Sequence, residues 1–426
     1  MSLNTAKQVK VMFNDVLDQM EKQQALAVKA EKYNVSGAEL QNAQNQIWRQ
    51  IEQQRAVKEG WTFTDSDFGD IIELSYPAAL GDPQNSLHSL RADDFRDRSF
   101  MERAARAASS RLLADQNSRI ASLVKDTGSI YYRSTVDGSV GNTGYDAIKL
   151  ATTILSERQA DMSAGVTMFL NDRDAQRISS DVANRSNMNG MPETVYKNGM
   201  IAYNTAGLDL YESSVMPAIT GGASPSTTVA TTVSQGPVAN QTVAGQVLPV
   251  DYRISDDIAI TDASGFNVGD WVEFTGVNSV GLHDKTPTGQ TMTFKIVAKS
   301  GNNIKVYPRP IAADDAGLTD DEKAFANIDT QITSGTAIVR LNTDTSKRGN
   351  IFWTNDSIEI LNADAPIDYL GQLDGMTVIR ETLSSGTTVY MAYQGSINDM
   401  SLKCRLFTWY GLTNRDPSRN GMFVVA

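Results

Sequence analysis

The feature that most limits the fold of this chain is a long helical stripe that ends at Gly128. Apolar residues recur at three- and four-residue steps from Phe95 to Val124, and Asp93 or Asp94 is the candidate N-cap residue. At a rise of about 1.5 Å per residue, some 30 residues span about 45 Å. The sequence therefore predicts one helix that crosses a whole domain.

Weaker patterns flank this helix on both sides. Apolar positions at helical spacing predict an amphipathic helix over residues 6–32, and the amide-rich stretch after it favours an extended arm. Weak alternation over residues 51–82, interrupted by glycines and aspartates, indicates a long two-stranded excursion with an acidic tip. We further expect a helix at 145–159 and a short strand at 166–170.

The composition changes abruptly near residue 220. A segment rich in Gly, Ser, Thr and Ala opens a region of short β-patterned runs with turn glycines between them. The sequence therefore predicts an inserted all-β domain, a barrel or a sandwich, over residues 221–343 inside a larger α+β host. The predicted strands cover residues 257–261, 270–276, 291–298, 303–307 and 336–341.

Composition excludes several classes of site. The 426 residues include one cysteine and two histidines, so a disulfide framework and a cysteine- or histidine-rich metal site are excluded, and we expect no cofactor. A net charge of −12 disfavours a polyphosphate partner. Six arginines between residues 91 and 111 alternate with acids, which indicates a salt-bridged helix face rather than a phosphate site.

The sequence offers few candidate catalytic residues. No phosphate-binding loop, nucleophile elbow or paired-histidine metal motif occurs, and the acidic segment 65–70 lacks the glutamate that would complete a calcium loop. His88 and His283 have no orienting partner nearby, and Cys404 lies in an apolar context typical of a core thiol. We therefore expect no enzyme, no export signal and no membrane span.

Five segments take the analysis further, because they match a known family in order and over nearly the whole chain. The chain closely resembles the coat proteins of short-tailed, Salmonella-infecting phages, a branch of the tailed-phage and herpesvirus capsid family that carries an inserted β-barrel. The matching segments are residues 51–61, 89–100, 313–330, 350–361 and 404–417.

The resemblance implies a part for each predicted element. The implied fold is the α+β tailed-phage capsid fold with an inserted all-β barrel. The implied parts are an N-terminal arm at 1–50, an E-loop at 51–85, the spine helix of the P-domain at 86–130, A/P-domain segments at 131–220 and 344–426, and the inserted β-barrel at 221–343.

The resemblance also implies the function. Copies of the chain would form pentamers and hexamers of an icosahedral shell around double-stranded DNA, in the virion and after assembly in the bacterial cytoplasm. The implied partners are further copies of the chain, a scaffolding protein, a portal ring and DNA bound without sequence specificity, with no membrane. A procapsid would form with the scaffold and then expand.

Two local contacts follow from the resemblance. In the family, basic residues of the scaffold dock on acids of the N-terminal helix, which here are Asp15, Asp18 and Glu21. Relatives carry an acid where this chain has Asn14, and the acids also fit an ordinary solvated helix face.

The second contact concerns a long loop of the inserted domain, which in relatives carries charges that bridge capsomers. The corresponding residues 240–250 contain no charge. We therefore expect an apolar or backbone contact through Val247, Leu248 and Val250, or a loop that is mobile before assembly.

Two functions from other classes stay open at this point. One is a surface adhesin whose β-rich domain binds a ligand, which the absence of an export signal and the single cysteine disfavour. The other is an enzyme with an unfamiliar site.

Overall fold

The computed structural model describes residues 3–23, 25–36, 46–51, 59–65, 68, 71–91, 94, 98–137, 139, 141–178, 200–223, 225, 227–243, 245–343, 347–365, 376–396 and 401–425. Its helices include α1 (Leu3–Gln23), α2 (Ala25–Val28), α3 (Arg98–Thr127), α4 (Gly144–Glu157) and α5 (Asp320–Lys323), and a 3-10 helix at Pro417–Arg419. Its strands are β1 (Glu31–Asn34), β2 (Gln46–Ile51), β3 (Leu74–Ala79), β4 (Gln84–Arg91), β5 (Ile130–Ser134), β6 (Val166–Leu170), β7 (Met200–Thr205), β8 (Leu208–Glu212), β9 (Ala218–Ile219), β10 (Thr227–Thr228), β11 (Asn240–Val243), β12 (Gln246–Pro249), β13 (Ile258–Ala259), β14 (Trp271–Val280), β15 (Pro287–Ser300), β16 (Asn303–Tyr307), β17 (Ala337–Arg340), β18 (Lys347–Arg348), β19 (Asn350–Thr354), β20 (Ile358–Asn362), β21 (Met376–Thr382), β22 (Thr388–Ser396), β23 (Ser401–Thr408), β24 (Tyr410–Asn414) and β25 (Asn420–Val425).

The chain divides into two compact units, and each is built from segments that are far apart in the sequence. The first unit combines Met1–Ile47, Ala78–Ala121 and Ile358–Thr413. The second combines Trp48–Pro77, Ser122–Ser357 and Asn414–Ala426. Each unit is therefore held together by contacts between segments that are distant in the sequence.

In the first unit, α1 is held by the apolar stripe that its sequence predicts. Val9, Met12, Phe13, Val16 and Met20 are each at most 3% exposed. They share one core with residues of α3 and of the four-stranded sheet ordered β21-β22-β23-β4. All neighbours in this sheet pair antiparallel. Each buried side chain of this size contributes roughly 1.5–3 kcal/mol, which holds the helix on the sheet.

The prediction of a helix over residues 6–32 is wrong at its carboxyl end. α1 ends at Gln23, the four-residue α2 follows, and the chain then forms β1. β1 pairs in parallel with β20, with Tyr33 opposite Leu361. The strand exists because of a partner from the far end of the chain, and no local spacing of residues could indicate it.

The long helix is confirmed, since α3 spans Arg98–Thr127. Of the two candidate N-cap residues, Asp93 lies outside the described residues, and the Asp94 carboxylate accepts a hydrogen bond from the Arg91 N–H at 2.7 Å. Gly128 follows the last helical residue as predicted. An ideal Cβ at Gly128 would lie 2.7 Å from a backbone oxygen of the last turn, so no larger residue fits there.

A mixed six-stranded sheet ordered β5-β25-β19-β6-β8-β7 lies at the centre of the second unit. β5 pairs in parallel with β25 and β6 with β8, and the other neighbours are antiparallel. α4 begins with a capping box formed by Thr143 and Asp146 and shares the core of this sheet through Ile148 and Leu155. The helix predicted at 145–159 and the strand predicted at 166–170 are both confirmed.

Residues 227–340 of the same unit form a second six-stranded sheet, ordered β10-β17-β14-β15-β16-β13 and antiparallel throughout. Its first and last strands also meet, since Val229 bridges Ile260 and the Thr261 N–H donates to the Thr228 carbonyl at 2.9 Å. Each of the five predicted β-runs overlaps one strand of this sheet. Its core residues include Val272, Phe274, Phe294, Ile296 and Val306, all 0% exposed.

Candidate interaction surfaces

The structure brings together two candidate catalytic residues that the sequence left apart. Cys404 of β23 lies directly opposite His88 of β4, so the two side chains leave the sheet on the same face. Burial raises the pKa of the Cys404 thiol to about 11 and lowers the pKa of His88. Both groups are therefore neutral near pH 7. A cysteine nucleophile requires the thiolate, so this pair has the wrong charge state for catalysis.

The remaining chemical groups give no better candidate. The His283 N–H donates to Gln159 Oε1 at 3.2 Å in the turn between β14 and β15. Within the described ranges, no three His, Cys, Asp or Glu side chains are grouped so that they could hold a metal ion. The helices of those ranges also include none with the length and apolar character that crossing a bilayer requires.

The three acids predicted to bind a scaffold lie on α1 opposite its buried stripe. Asp15 is half-buried, whereas Asp18 and Glu21 are exposed. Glu21 is already engaged within the first unit, because its Oε2 accepts a hydrogen bond from the Ser384 N–H at 3.1 Å. Asp15 and Asp18 are therefore the two acids of this set whose carboxylates best suit an external cation.

The uncharged segment of the β-rich region forms a hairpin of β11 and β12. Gly245 supplies a positive φ of 81° in the turn between the two strands. Val247 pairs with Thr242 and is 68% exposed, while Leu248 is 41% exposed. Neighbouring residues of a strand point to opposite faces, so the hairpin presents one apolar side chain on each face. Val250 is half-buried just after it.

The excursion between β2 and β3 carries four exposed apolar side chains, among them the two most exposed large apolar side chains of the described residues, Trp61 and Phe68. β2 and β3 form a two-stranded sheet, so the pairing of two strands is confirmed, but β2 lies almost wholly before the predicted range of 51–82. Trp61 is 103% exposed, Phe63 44%, Phe68 73% and Ile71 71%. Phe63 and Phe68 meet edge to face, with ring centroids 6.5 Å apart. We name these four residues the apolar row.

The weak alternation of this segment predicts strands but does not by itself predict that its aromatic side chains are exposed. Glycines and aspartates are interspersed with these aromatic residues in the sequence. A segment with so few apolar residues cannot bury its own aromatic side chains, and this is the sequence feature that indicates their exposure. Of the predicted acidic tip, Asp65 is exposed, whereas Asp67 and Asp70 lie outside the described residues.

Solved structures similar to this chain include phage capsids. The capsid of the cyanophage P-SCSP1u matches with 7% identity and a TM-score of 0.45, covering 93% of this chain and 86% of that chain. The mature capsid of bacteriophage PhiM1 matches with 9% identity and a TM-score of 0.43, again covering 93% of this chain and 86% of that chain. The CUS-3 coat protein I-domain matches with 29% identity and a TM-score of 0.24, covering 29% of this chain and 99% of that chain.

The sequence itself matches one family over almost its full length. The profile of the P22 coat protein, gene protein 5, aligns with residues 1–424 of the 426. A match of this extent includes the excursion, the long helix, the β-rich region and the carboxyl-terminal strands. The chain therefore belongs to the P22 coat protein family and is the major capsid protein of a tailed phage, a structural component of the virion shell.

Proposed function

We propose that copies of this chain form the pentamers and hexamers of an icosahedral shell that encloses double-stranded DNA. Assembly proceeds through a procapsid, built with a scaffolding protein around a portal ring, which later expands and loses the scaffold. The observation that carries the proposal is the apolar row, whose four side chains are exposed on the single chain. Exposed apolar side chains of this size within one segment, two of them in contact, indicate an interaction surface, and in a shell a second copy covers them.

Electron microscopy of the purified chain, with and without its scaffolding protein, tests this proposal. We expect closed shells of uniform size when the scaffold is present, and capsomers or irregular shells when it is absent. A dispersed monomer under both conditions would contradict the proposal.

We propose the following division of the chain into capsid parts: an N-terminal arm at 1–50, an E-loop at 51–85, the spine helix of the P-domain at 86–130, and A/P-domain segments at 131–220 and 344–426. An inserted β-barrel occupies residues 221–343. The β-bridge and the backbone hydrogen bond that join the ends of β10 and β13 support a closed barrel for that insertion. The length of α3, 30 residues, supports its role as the spine helix.

The scaffold is proposed to dock on Asp15 and Asp18 of α1, with Glu21 at the edge of the contact. Glu21 contributes less because its carboxylate is bonded to the Ser384 N–H. Exchanging Asp15 and Asp18 for lysine should abolish scaffold-dependent assembly, since cationic residues of the scaffold would then be repelled.

A comparison variant and a folding control accompany this test. Asn14→Asp adds an acid beside Asp15 at an exposed position and should strengthen scaffold binding. Thermal melting of each variant establishes that α1 remains folded. Normal scaffold-dependent assembly by a folded Asp15→Lys, Asp18→Lys variant would show that the acids are only a solvated face.

Neighbouring capsomers are proposed to meet through the β11-β12 hairpin by apolar and backbone contacts. Val247 and Leu248 are exposed on opposite faces, with Val250 at the base of the hairpin. Because no residue from 240 to 250 is charged, raising the salt concentration should leave this contact intact. Loss of contacts between capsomers at moderate salt would instead point to charge pairs elsewhere.

The chain is proposed to have no catalytic role and to require no cofactor. The neutral state of the Cys404 and His88 pair supports this, because it leaves the most plausible nucleophile unreactive. Hydrolytic activity that copurifies with shells and disappears in a Cys404→Ala variant would contradict it.

A further inference from the structure

The exposed face of α3 is basic over its first half. The opposite face of the helix, with Ala105, Ala108 and Leu112, lies in the core that α3 shares with α1 and the four-stranded sheet. Residues 103–114 carry three arginines and no acid, although the whole chain has a net charge of −12. Residues 115–126 carry two acids and two bases. The positive charge of α3 is therefore concentrated in residues 103–114.

Two of these three arginines have no partner within the part of the chain that the structure describes. Arg106 and Arg111 are exposed, and neither side chain forms an ion pair or a hydrogen bond there. Arg119, in the second half of α3, differs, because its Nε donates to Asp115 at 2.7 Å. The alternation of arginines with acids predicts a salt-bridged helix face, and Arg106 and Arg111 do not fit that prediction. Arg103 already interacts with another group, so Arg106 and Arg111 are the cations open to an external ligand.

No bulky side chain separates the two arginines. At about 3.6 residues per turn, Arg106 and Arg111 project roughly 140° apart around the helix axis. The residues between them on the helix surface are Ala107, Ser110 and Ala114. A wide ligand can therefore approach the helix closely and meet a guanidinium group on each side.

The composition of this face favours a phosphate backbone over a protein partner. Protein interfaces depend on aromatic or apolar side chains that become buried at their centre. None of the exposed large apolar side chains among the described residues lies on α3. Guanidinium groups match phosphate in charge and geometry. Double-stranded DNA carries one phosphate for about every 1.7 Å of its axis, so it can meet both arginines at once.

We propose that this face of α3 binds the phosphate backbone of double-stranded DNA through Arg106 and Arg111. The inference rests on the proposed function, in which the shell encloses DNA, and it names the surface of the subunit that meets this DNA. Because the contacts are to phosphates, the binding is independent of base sequence. Two cations per copy bind weakly, but many copies present the same pair to one duplex.

Binding of the unassembled full-length subunit to a short fluorescent DNA duplex tests this surface without shells. Each phosphate contact contributes about 0.9 to the slope of log affinity against log salt concentration. For Arg106→Gln, Arg111→Gln we expect a slope shallower by about 1.8 and binding weaker by about tenfold or more at low salt. Glutamine has a helix propensity close to that of arginine, and thermal melting verifies the fold. A native subunit that binds no DNA at low salt would overturn the proposal.

The matched control removes two positive charges from the four-stranded sheet of the same unit. Arg91 of β4 and Arg405 of β23 are both exposed. Arg91→Gln, Arg405→Gln should leave the affinity and the salt slope close to those of the native subunit. Equal weakening by the two double variants would show that only net charge matters, and the proposal would then be wrong.

In assembled shells, protection from phenylglyoxal, a reagent that modifies arginine, locates the DNA. Peptide mass spectrometry compares DNA-filled shells with shells that have released their DNA. We expect Arg106 and Arg111 to be modified several-fold more slowly in filled shells, and Arg405 at the same rate in both. Equal rates at Arg106 and Arg111 would overturn the proposal. A chain that forms no shells would instead contradict the proposed function, and the duplex titration would still decide the role of α3.

The yield of shells distinguishes DNA from a protein bound to the same face. The Arg106→Gln, Arg111→Gln variant should form shells and incorporate scaffold normally, because the contacts that it loses are to DNA. Failure of this folded variant to assemble would show that the face contacts a second copy or the scaffold, and would rule out the DNA assignment.

Discussion

The surroundings of Cys404 determine the reactivity of its thiol. It is 4% exposed in the core that α1 shares with the sheet of β4 and β21–β23. Its apolar sequence context was sufficient to predict burial. Its position opposite His88 was not predictable, because that depends on the register between two strands that are distant in the sequence.

The burial of Cys404 leads to a simple prediction at the residue scale. Because burial raises the pKa of its thiol to about 11, the native protein should not react with iodoacetamide at pH 8. Unfolding in urea should expose the one thiol of the chain and allow complete reaction. Mass spectrometry measures the extent of labelling, and rapid labelling of the native protein would show that Cys404 is accessible.

Gly421 offers a second prediction at this scale. It lies opposite Ile130 in the parallel pair of β25 and β5, and an ideal Cβ on it would overlap the Ile130 carbonyl oxygen. Gly421→Ala should therefore lower the free energy of unfolding by about 1–3 kcal/mol, as measured by thermal or denaturant melting. The control is Gly81→Ala, where the nearest atom to the added Cβ is 4.0 Å away. A loss of similar size in the control would mean that steric overlap is not the cause.

At the scale of elements, local patterning explains α3, α4, β6 and the strands of the β-rich region. Each has its own periodicity, cap or turn glycine, so the sequence alone indicated its existence and type. β1 and the meeting of β10 with β13 depend instead on long-range partners. Gly128 predicts the carboxyl end of α3, whereas the hydrogen bond that the Asp94 carboxylate accepts from the Arg91 N–H is not apparent from the sequence.

A buried ion pair in the β-rich region tests what holds its strands together. Arg340 of β17 pairs with Asp270 at the start of β14, and the two side chains are 5% and 9% exposed. Arg340 also donates to the Ala223 carbonyl at 2.8 Å. Arg340→Met would leave the Asp270 carboxylate buried without its cation, so we expect a loss of about 3–5 kcal/mol in the free energy of unfolding.

Calorimetry of the full chain measures this loss, and two variants serve as comparisons. Arg380 pairs with Asp364 at 3.5 Å, and its side chain is 59% exposed, so Arg380→Met should cost less than about 1 kcal/mol. The double variant Arg340→Met, Asp270→Asn should recover part of the stability, because the uncompensated charge is gone. No difference between Arg340→Met and Arg380→Met would exclude a structural role for the buried pair.

At the scale of the whole molecule, the sequence indicated the class of protein because its segments match one family in order. It identified residues 240–250 as an uncharged loop, although not as the hairpin of β11 and β12 that the structure shows, and it placed the acids on the polar face of α1. It could not indicate that Glu21 is bonded to the Ser384 N–H, since that contact joins opposite ends of the chain. The sequence likewise does not show that the side chains of the apolar row are exposed.

The apolar row gives the prediction that belongs to this scale. Trp61 and Phe68 are 103% and 73% exposed, so replacing both with serine removes little within the chain beyond the edge-to-face contact of Phe68 with the exposed Phe63. We expect the melting temperature of the unassembled subunit to stay unchanged, while the yield of shells falls about tenfold or more, because the lost aromatic contacts lie between copies. Sedimentation in a sucrose gradient measures the yield.

Val268→Ser, at a side chain 61% exposed in the β-rich region, is the matched control and should assemble normally. If the double variant also assembles normally, the row faces water in the shell as it does in the single chain, and the burial that drives assembly lies elsewhere on the subunit.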